Sequence, residues 1–208
     1  MKPDSLIFDM DGTLWDAVDT YALAWNKGLT ARGIDKEIDR QTFYSIMGAE
    51  RKEALAYLLP EMQEKEREDV YEAVIKAQDE LLPSEGGSLY KGVREGIQAL
   101  SKKYPLFIVS NCSKDAICQF LDWSELSGYI TDEMAHGVNS MPKHHNIRLL
   151  MDKHQLKTPF YVGDTDGDRL QSELAGVPFV FVSYGFGSTK KFDLSFDSFE
   201  NLTHYFCQ

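Results

Sequence analysis

The sequence predicts an α/β protein: a doubly wound parallel sheet carrying an all-helical insertion after its first strand. Three observations predict it. Short apolar runs stop abruptly at polar residues, segments with helical periodicity separate those runs, and one long stretch between the first two runs contains no convincing strand.

The first run, Ser5-Leu6-Ile7-Phe8, is apolar throughout its last three residues and ends at Asp9, as a buried parallel strand with polar groups at its carboxyl end should. From about residue 16 to residue 86 the rhythm changes. Glu61 to Leu82 is the clearest helix there, with Met62, Val70, Tyr71, Val74, Ile75, Leu81 and Leu82 on one face and Glu and Lys on the other. Pro83-Ser84-Glu85-Gly86-Gly87 supplies turn and linker residues that are expected to end the insertion.

Alternation then resumes. Val93, Ile97 and Leu100 mark a helix, and Leu106-Phe107-Ile108-Val109 a strand that ends at Ser110-Asn111. Ile147, Leu150 and Met151 mark the next helix, before Phe160-Tyr161-Val162, which ends at Gly163-Asp164. Leu170, Leu174 and Ala175 precede a last run, Val177 to Val182, which contains Pro178 and ends at Ser183-Tyr184-Gly185. Strands and helices of these lengths imply right-handed crossovers, so the polar residues that end the runs converge on one crevice at the carboxyl edge of the sheet.

The 208 residues suffice for one large core, or for a core domain with a smaller inserted one. A net charge of −11 disfavours nucleic acid and anionic membrane surfaces as partners. A small anionic substrate would need concentrated positive charge, which points toward a metal ion. Cys112, Cys118 and Cys207 form no disulfide framework and read as free thiols. Met1-Lys2-Pro3-Asp4 leads into an acidic motif without an apolar signal segment, so a cytoplasmic location is expected.

Asp9-Met10-Asp11-Gly12-Thr13 sets two carboxylates two positions apart, after a strand and before a glycine that permits a tight turn. Such neighbours repel unless a cation lies between them or one is protonated, and either state suits phosphoryl chemistry. One carboxylate can attack phosphorus while the other, with a raised pKa, protonates a leaving oxygen. Ser110-Asn111 offers a hydroxyl, an amide and backbone N–H groups for phosphate oxygens, and Lys143 a compensating ammonium. Gly163-Asp164-Thr165-Asp166-Gly167-Asp168 adds hard oxygen ligands suited to Mg²⁺. Each feature alone has an ordinary alternative: a turn or helix cap for Asp9 and Asp11, an N-cap for Ser110-Asn111, a solvated lysine for Lys143, an acidic turn for the last cluster.

Asp9-Met10-Asp11-Gly12-Thr13-Leu14, Ser110-Asn111, Lys143 and Gly163-Asp164-Thr165 through Asp168 resemble, in order, the four motifs of the haloacid dehalogenase superfamily. The resemblance spans nearly the whole chain. It is greatest to the phosphoglycolate phosphatase and β-phosphoglucomutase-like branch, which inserts a small helical cap after the first motif.

The resemblance implies a Rossmann-like α/β phosphatase core at residues 1–15 and 87–208 and a helical cap at 16–86. It implies Asp9 as nucleophile and magnesium ligand, and Asp11 as general acid and base that also offers its backbone carbonyl to the metal. Ser110, Asn111 and Lys143 would hold the phosphoryl group, assisted by Gly12 and Thr13. Asp164 would be a metal ligand and Asp168 its supporting acid, with Asp166 outside the metal shell. Mg²⁺ is the implied cofactor and a small phosphorylated metabolite the implied substrate, hydrolysed through an aspartyl phosphate.

Two departures from the family pattern stand out. Lys143 is followed by His144-His145-Asn146 instead of Pro-x-Pro, and Trp15-Asp16-Ala17 replaces the small or acidic residues common after the first motif. In the insertion, Arg51 and Lys52 are candidates for reading an anionic substrate, against an ordinary role as charges at a helix end. A phosphosugar mutase would use the same Asp9 and Asp11, a dehalogenase would not need Asp11, and a phosphonate hydrolase would want a reactive cap lysine. A non-catalytic binding or regulatory module is the alternative from outside enzymology.

Overall fold

The computed structural model describes residues 2–49 and 51–208; Met1 and Glu50, which fall within the expected core and cap segments, lie outside the described residues. Six strands form one parallel sheet: β1 (Leu6–Phe8), β4 (Leu106–Ser110), β5 (Asp132–Ala135), β6 (Phe160–Gly163), β7 (Phe179–Val182) and β8 (Leu194–Phe196), in the order β5-β4-β1-β6-β7-β8. β1 is central, with Phe8 registered against Ile108 on one side and Val162 on the other. That register brings the carboxyl ends of the first, fourth and sixth strands side by side.

Alternation along the strands builds two cores. Leu6, Phe8, Ile108, Val162 and Val180 face one layer, which includes Val93, Ile97 and Leu100 of α5 (Val93–Leu100), Phe120 of α6 (Ala116–Ser124) and Leu202 of α10 (Phe199–Cys207). Ile7, Phe107, Val109, Tyr161 and Phe181 face the other, against Ile147 and Leu150 of α8 (Lys143–His154) and Ala175 of α9 (Asp166–Ala175). A short α7 (His136–Asn139) links β5 to α8. Burying both faces is what makes the central runs uniformly apolar.

After β1 the chain forms a two-residue strand, β2 (Trp15–Asp16), which pairs antiparallel with β3 (Ser88–Leu89). Between them the described residues form only helices: α1 (Val18–Ala31), α2 (Arg40–Tyr44), α3 (Arg51–Leu58) and α4 (Glu64–Glu85). α1 and α4 approach so closely at Gly28 that a Cβ there would lie 2.8 Å from the Val74 backbone.

Helix α4 begins three residues later than the periodicity suggests, because Gln63 and Glu66 form a reciprocal capping box. It also continues through Pro83 to Glu85, correcting the expectation that Pro83 begins the linker. Gly86, at φ 60°, ends the helix instead, its N–H donating to the Leu82 carbonyl. The strands β5 and β8 are not evident from the sequence. Both are edge strands with only one fully buried residue between them, so neither carries an apolar run. Among the described residues, no helix is long and apolar enough to cross a membrane.

Candidate active site

The loop after β1 is tightly wound: the Gly12 N–H donates to the Trp15 carbonyl at 2.9 Å and the Leu14 N–H to the Met10 carbonyl at 2.8 Å. Gly12 takes φ +85°, and a Cβ there would collide with the Asp164 carboxylate. Glycine is thus required both by the turn and by the close approach of β6. The Thr13 N–H donates within the loop to Met10, and its side chain is fully buried with no partner for the hydroxyl. Gly12 and Thr13 accordingly shape the loop and do not line the cleft described below.

Asp9 is 3% exposed, and its Oδ1 accepts from Lys143 Nζ at 2.9 Å. The same ammonium donates to Asp168 Oδ1 at 2.7 Å. Lys143 opens α8, with Pro142 in the N-cap position, so the lysine side chain enters the sheet edge from the first helical turn. His144 is turned to Gln171, whose Oε1 lies 2.8 Å from the His144 ring nitrogen.

Asp168 is held from several directions. Its Oδ2 accepts from the Thr165 N–H at 3.0 Å and the Thr165 hydroxyl at 2.6 Å, while the Tyr161 hydroxyl donates to Oδ1 at 3.2 Å. Burial alone would raise the Asp168 pKa, but the Lys143 charge and hydrogen bonds from Lys143 and Thr165 hold it below the usual carboxylate range. Lys143 stays firmly protonated, since the two carboxylates outweigh its own desolvation.

Ligand oxygens of Asp9, Asp164 and Asp168 lie within 4.8 Å of one another, all on buried residues. Asp164 Oδ2 accepts from the Phe186 N–H at 2.6 Å and the Gly187 N–H at 3.3 Å, whereas its Oδ1 is buried without a partner. Burial, then the charges of Asp168 and Asp9, push the Asp164 pKa up to about 8. Burial likewise raises Asp9 to about 6 against the opposing effect of Lys143. Oxygen donors that repel one another around an unsatisfied buried carboxylate oxygen fit a hard divalent cation such as Mg²⁺. Asp166 points elsewhere and pairs with Arg169 at 2.6 Å.

Asp11 lies outside this carboxylate cluster. Its Oδ1 accepts from the Trp15 indole N–H at 2.9 Å, and burial followed by the Asp9 charge raises its pKa to about 7. A solvent-open cleft with a volume of about 120 Å³ brings together Asp9, Asp11, Ser110, Asn111, Lys143 and Arg51. Tyr21, Trp25, Phe43, Met47 and Tyr71 form its wall on the side of the four helices. The Asn111 amide donates to the Gly48 carbonyl at 3.1 Å, joining the sheet edge to that wall. Arg51 lies 5.5 Å from the centre of the Tyr71 ring and 3.6 Å from Glu68. Lys52 does not reach the cleft: it is largely exposed and pairs with Glu64 at 2.9 Å.

Sequence reasoning missed three contributors. Tyr161 supports Asp168 from within a strand, where it reads as one more core residue. The Tyr184-Gly185-Phe186-Gly187 loop holds Asp164 and, through the Tyr184 hydroxyl, the Thr13 carbonyl at 2.8 Å. Its alternating glycines at a strand end were the available signal. Trp15 stands out in the sequence only as a departure, without a role.

Residues 6–182 match the family model described as haloacid dehalogenase-like hydrolase. The chain is 27% identical over 212 residues to a phosphoglycolate phosphatase of Photobacterium profundum, covering 95% of this chain and 93% of that one. Among solved structures, a haloacid dehalogenase-like family protein from Streptococcus pneumoniae superposes with a TM-score of 0.86 at 18% identity, covering 98% of each chain. CbbY from Rhodobacter sphaeroides, in complex with phosphate, gives a TM-score of 0.81 at 18% identity over 96% of each chain. The two structural similarities concern the fold, whereas the family match runs from the first strand of the sheet through β7. The chain belongs to the haloacid dehalogenase-like hydrolase family.

Proposed function

We propose that this hydrolase is a magnesium-dependent phosphatase that cleaves a small phosphorylated metabolite through an aspartyl phosphate on Asp9. One observation carries the reading: a buried carboxylate paired with a buried ammonium shares a cleft with a second carboxylate whose pKa is raised to about 7. The first is a nucleophile held in place, and the second is poised to give and take a proton near neutrality. The similarity to a phosphoglycolate phosphatase supports a small phosphate ester as substrate.

Asp9 and Asp164, with the Asp11 backbone carbonyl, would hold Mg²⁺, and Asp168 would support them. The ion supplies charge neutralisation at phosphoryl oxygens. In the first step an Asp9 carboxylate oxygen bonds to phosphorus as the ester P–O bond breaks, and Asp11 gives its proton to the departing alcohol oxygen. Lys143, Ser110 and Asn111 orient the phosphoryl group and offset its charge. In the second step Asp11 takes a proton from water as the water oxygen bonds to phosphorus, and the bond to Asp9 breaks to release phosphate.

In this reading residues 16–86 form a cap that excludes bulk water and contacts the leaving group, with Arg51 facing the substrate. The net negative charge suits neither nucleic acid nor an anionic membrane, and a cytoplasmic setting is consistent with three free cysteines. A chromogenic phosphate ester assayed with and without magnesium tests the proposal. Turnover that requires the ion and disappears in Asp9→Asn is expected; equal turnover in that variant would refute the nucleophile.

A further inference from the structure

We propose that Trp15 is a positioning residue for the acid–base group, its indole N–H fixing which oxygen of Asp11 exchanges a proton with substrate. The inference rests on the reading of Asp11 as general acid and base, and it assigns work to a residue that reading leaves idle. Trp15 Nε1 lies 2.9 Å from Asp11 Oδ1. An indole N–H can only donate, so Oδ1 must act as the acceptor whether or not Asp11 is protonated. A carbonyl oxygen accepts better than a carboxyl hydroxyl oxygen, so the contact favours the mobile proton on Oδ2, on a group that the Tyr21 hydroxyl also faces.

The clamp is itself closely packed. Trp15 is fully buried, and its ring lies 4.8 Å from that of Phe120 in an edge-on contact and 5.5 Å from that of Trp123. Its backbone is fastened at both polar groups: the Trp15 carbonyl accepts from Gly12 at 2.9 Å, and its N–H donates to Met10 at 3.3 Å. Gly87 closes the remaining side, where a Cβ would stand 2.9 Å from the indole ring. The indole N–H is therefore held on its acceptor with no room to seek another. A carboxyl held at one oxygen keeps its other oxygen in a fixed direction, which is what proton transfer to a leaving group demands. Trp15 also lies in β2, paired with Leu89 where the chain leaves the sheet and returns to it, so the acid is anchored at the root of the helical insertion.

The test compares two esters. A simple alkyl phosphate needs its leaving oxygen protonated, whereas 4-nitrophenyl phosphate releases a stabilised anion and needs little help. Trp15→Phe keeps an aromatic ring in the packing and removes the donor. It is expected to lower kcat on the alkyl ester roughly tenfold more than on the nitrophenyl ester, with KM and magnesium dependence little changed. Equal losses on both esters, or no loss on the alkyl ester, would overturn the proposal. If wild-type enzyme hydrolyses neither ester, the phosphatase reading itself fails and takes this proposal with it.

A second measurement does not depend on the folding of that variant. In ¹⁵N-labelled protein, the Trp15 indole resonance should move on Asp11→Asn and stay in place on Asp166→Asn. An indole signal indifferent to Asp11→Asn would count against the contact.

Discussion

Lys143 Nζ lies 2.7 Å from Asp168 Oδ1, and both side chains are almost wholly buried, so the helix that begins at Lys143 is tied by charge to the helix that begins at Asp166. The same ammonium holds Asp9 at 2.9 Å. One positive charge is thus shared by two buried carboxylates.

Removing it strands both anions. Lys143→Met is expected to destabilise the protein by about 3–5 kcal/mol, the usual cost of breaking a buried pair from one side, and to abolish turnover. Urea denaturation and a phosphate-release assay check this. Full stability in the variant would mean that Asp9 and Asp168 are satisfied without the lysine.

Magnesium binding should depend on pH with a definite sign. Asp9 and Asp164 have folded-state pKa values raised to about 6 and about 8, chiefly by burial. Unfolded carboxyl groups titrate near about 4, so between these limits the native metal-free protein binds more protons than the unfolded chain. Its stability therefore falls as pH rises through that window. The cation requires ionised ligands, so its affinity rises over the same range. Thermal melts should show a larger magnesium-induced rise in Tm at about pH 8.5 than at about pH 5.5. A larger effect at the acidic pH would contradict the assignment of these carboxylates as ligands.

Gly12→Ala tests the geometry of the loop. A side chain at φ +85° costs about 1–2 kcal/mol by itself, and its Cβ would be driven into Asp164. The variant should lose activity more severely than stability, because relief requires displacing Asp164, which shares the carboxylate cluster with Asp9. Differential scanning calorimetry paired with steady-state kinetics separates the two losses. Near-normal kcat would show that Asp164 can shift without consequence.

Much of the sheet could be read from the chain because its central strands are buried on both faces, and Leu6-Ile7-Phe8 or Leu106 through Val109 must then be apolar at every position. The residues that end those strands converge for the same topological reason: adjacent parallel strands place Asp9, Ser110 and Asp164 at one edge. Edge strands escape that rule. Asp132-Glu133-Met134-Ala135 pairs on one side only and carries two acids, so nothing in its pattern distinguishes it from a loop. Helix α10 carries Phe199, Leu202 and Phe206 at helical spacing, but it follows β8, an edge strand without an apolar run, so no strand–helix alternation frames it. Supporting contacts were least legible of all. Tyr161 acts on Asp168 through a hydroxyl on a residue that otherwise fits the apolar core, and Phe186 acts on Asp164 through a backbone N–H that almost any residue would supply.

In the proposed mechanism Asp9 carries the phosphoryl group between the two steps. Rapid acid quench during turnover of a ³²P-labelled ester, followed by borohydride reduction and peptide mass spectrometry, reads that directly. Protein-bound label that borohydride releases as phosphate while Asp9 is converted to homoserine, with no label in Asp9→Asn, is the predicted result. Steady turnover with no protein-bound phosphate, or with label on any other residue, would contradict it.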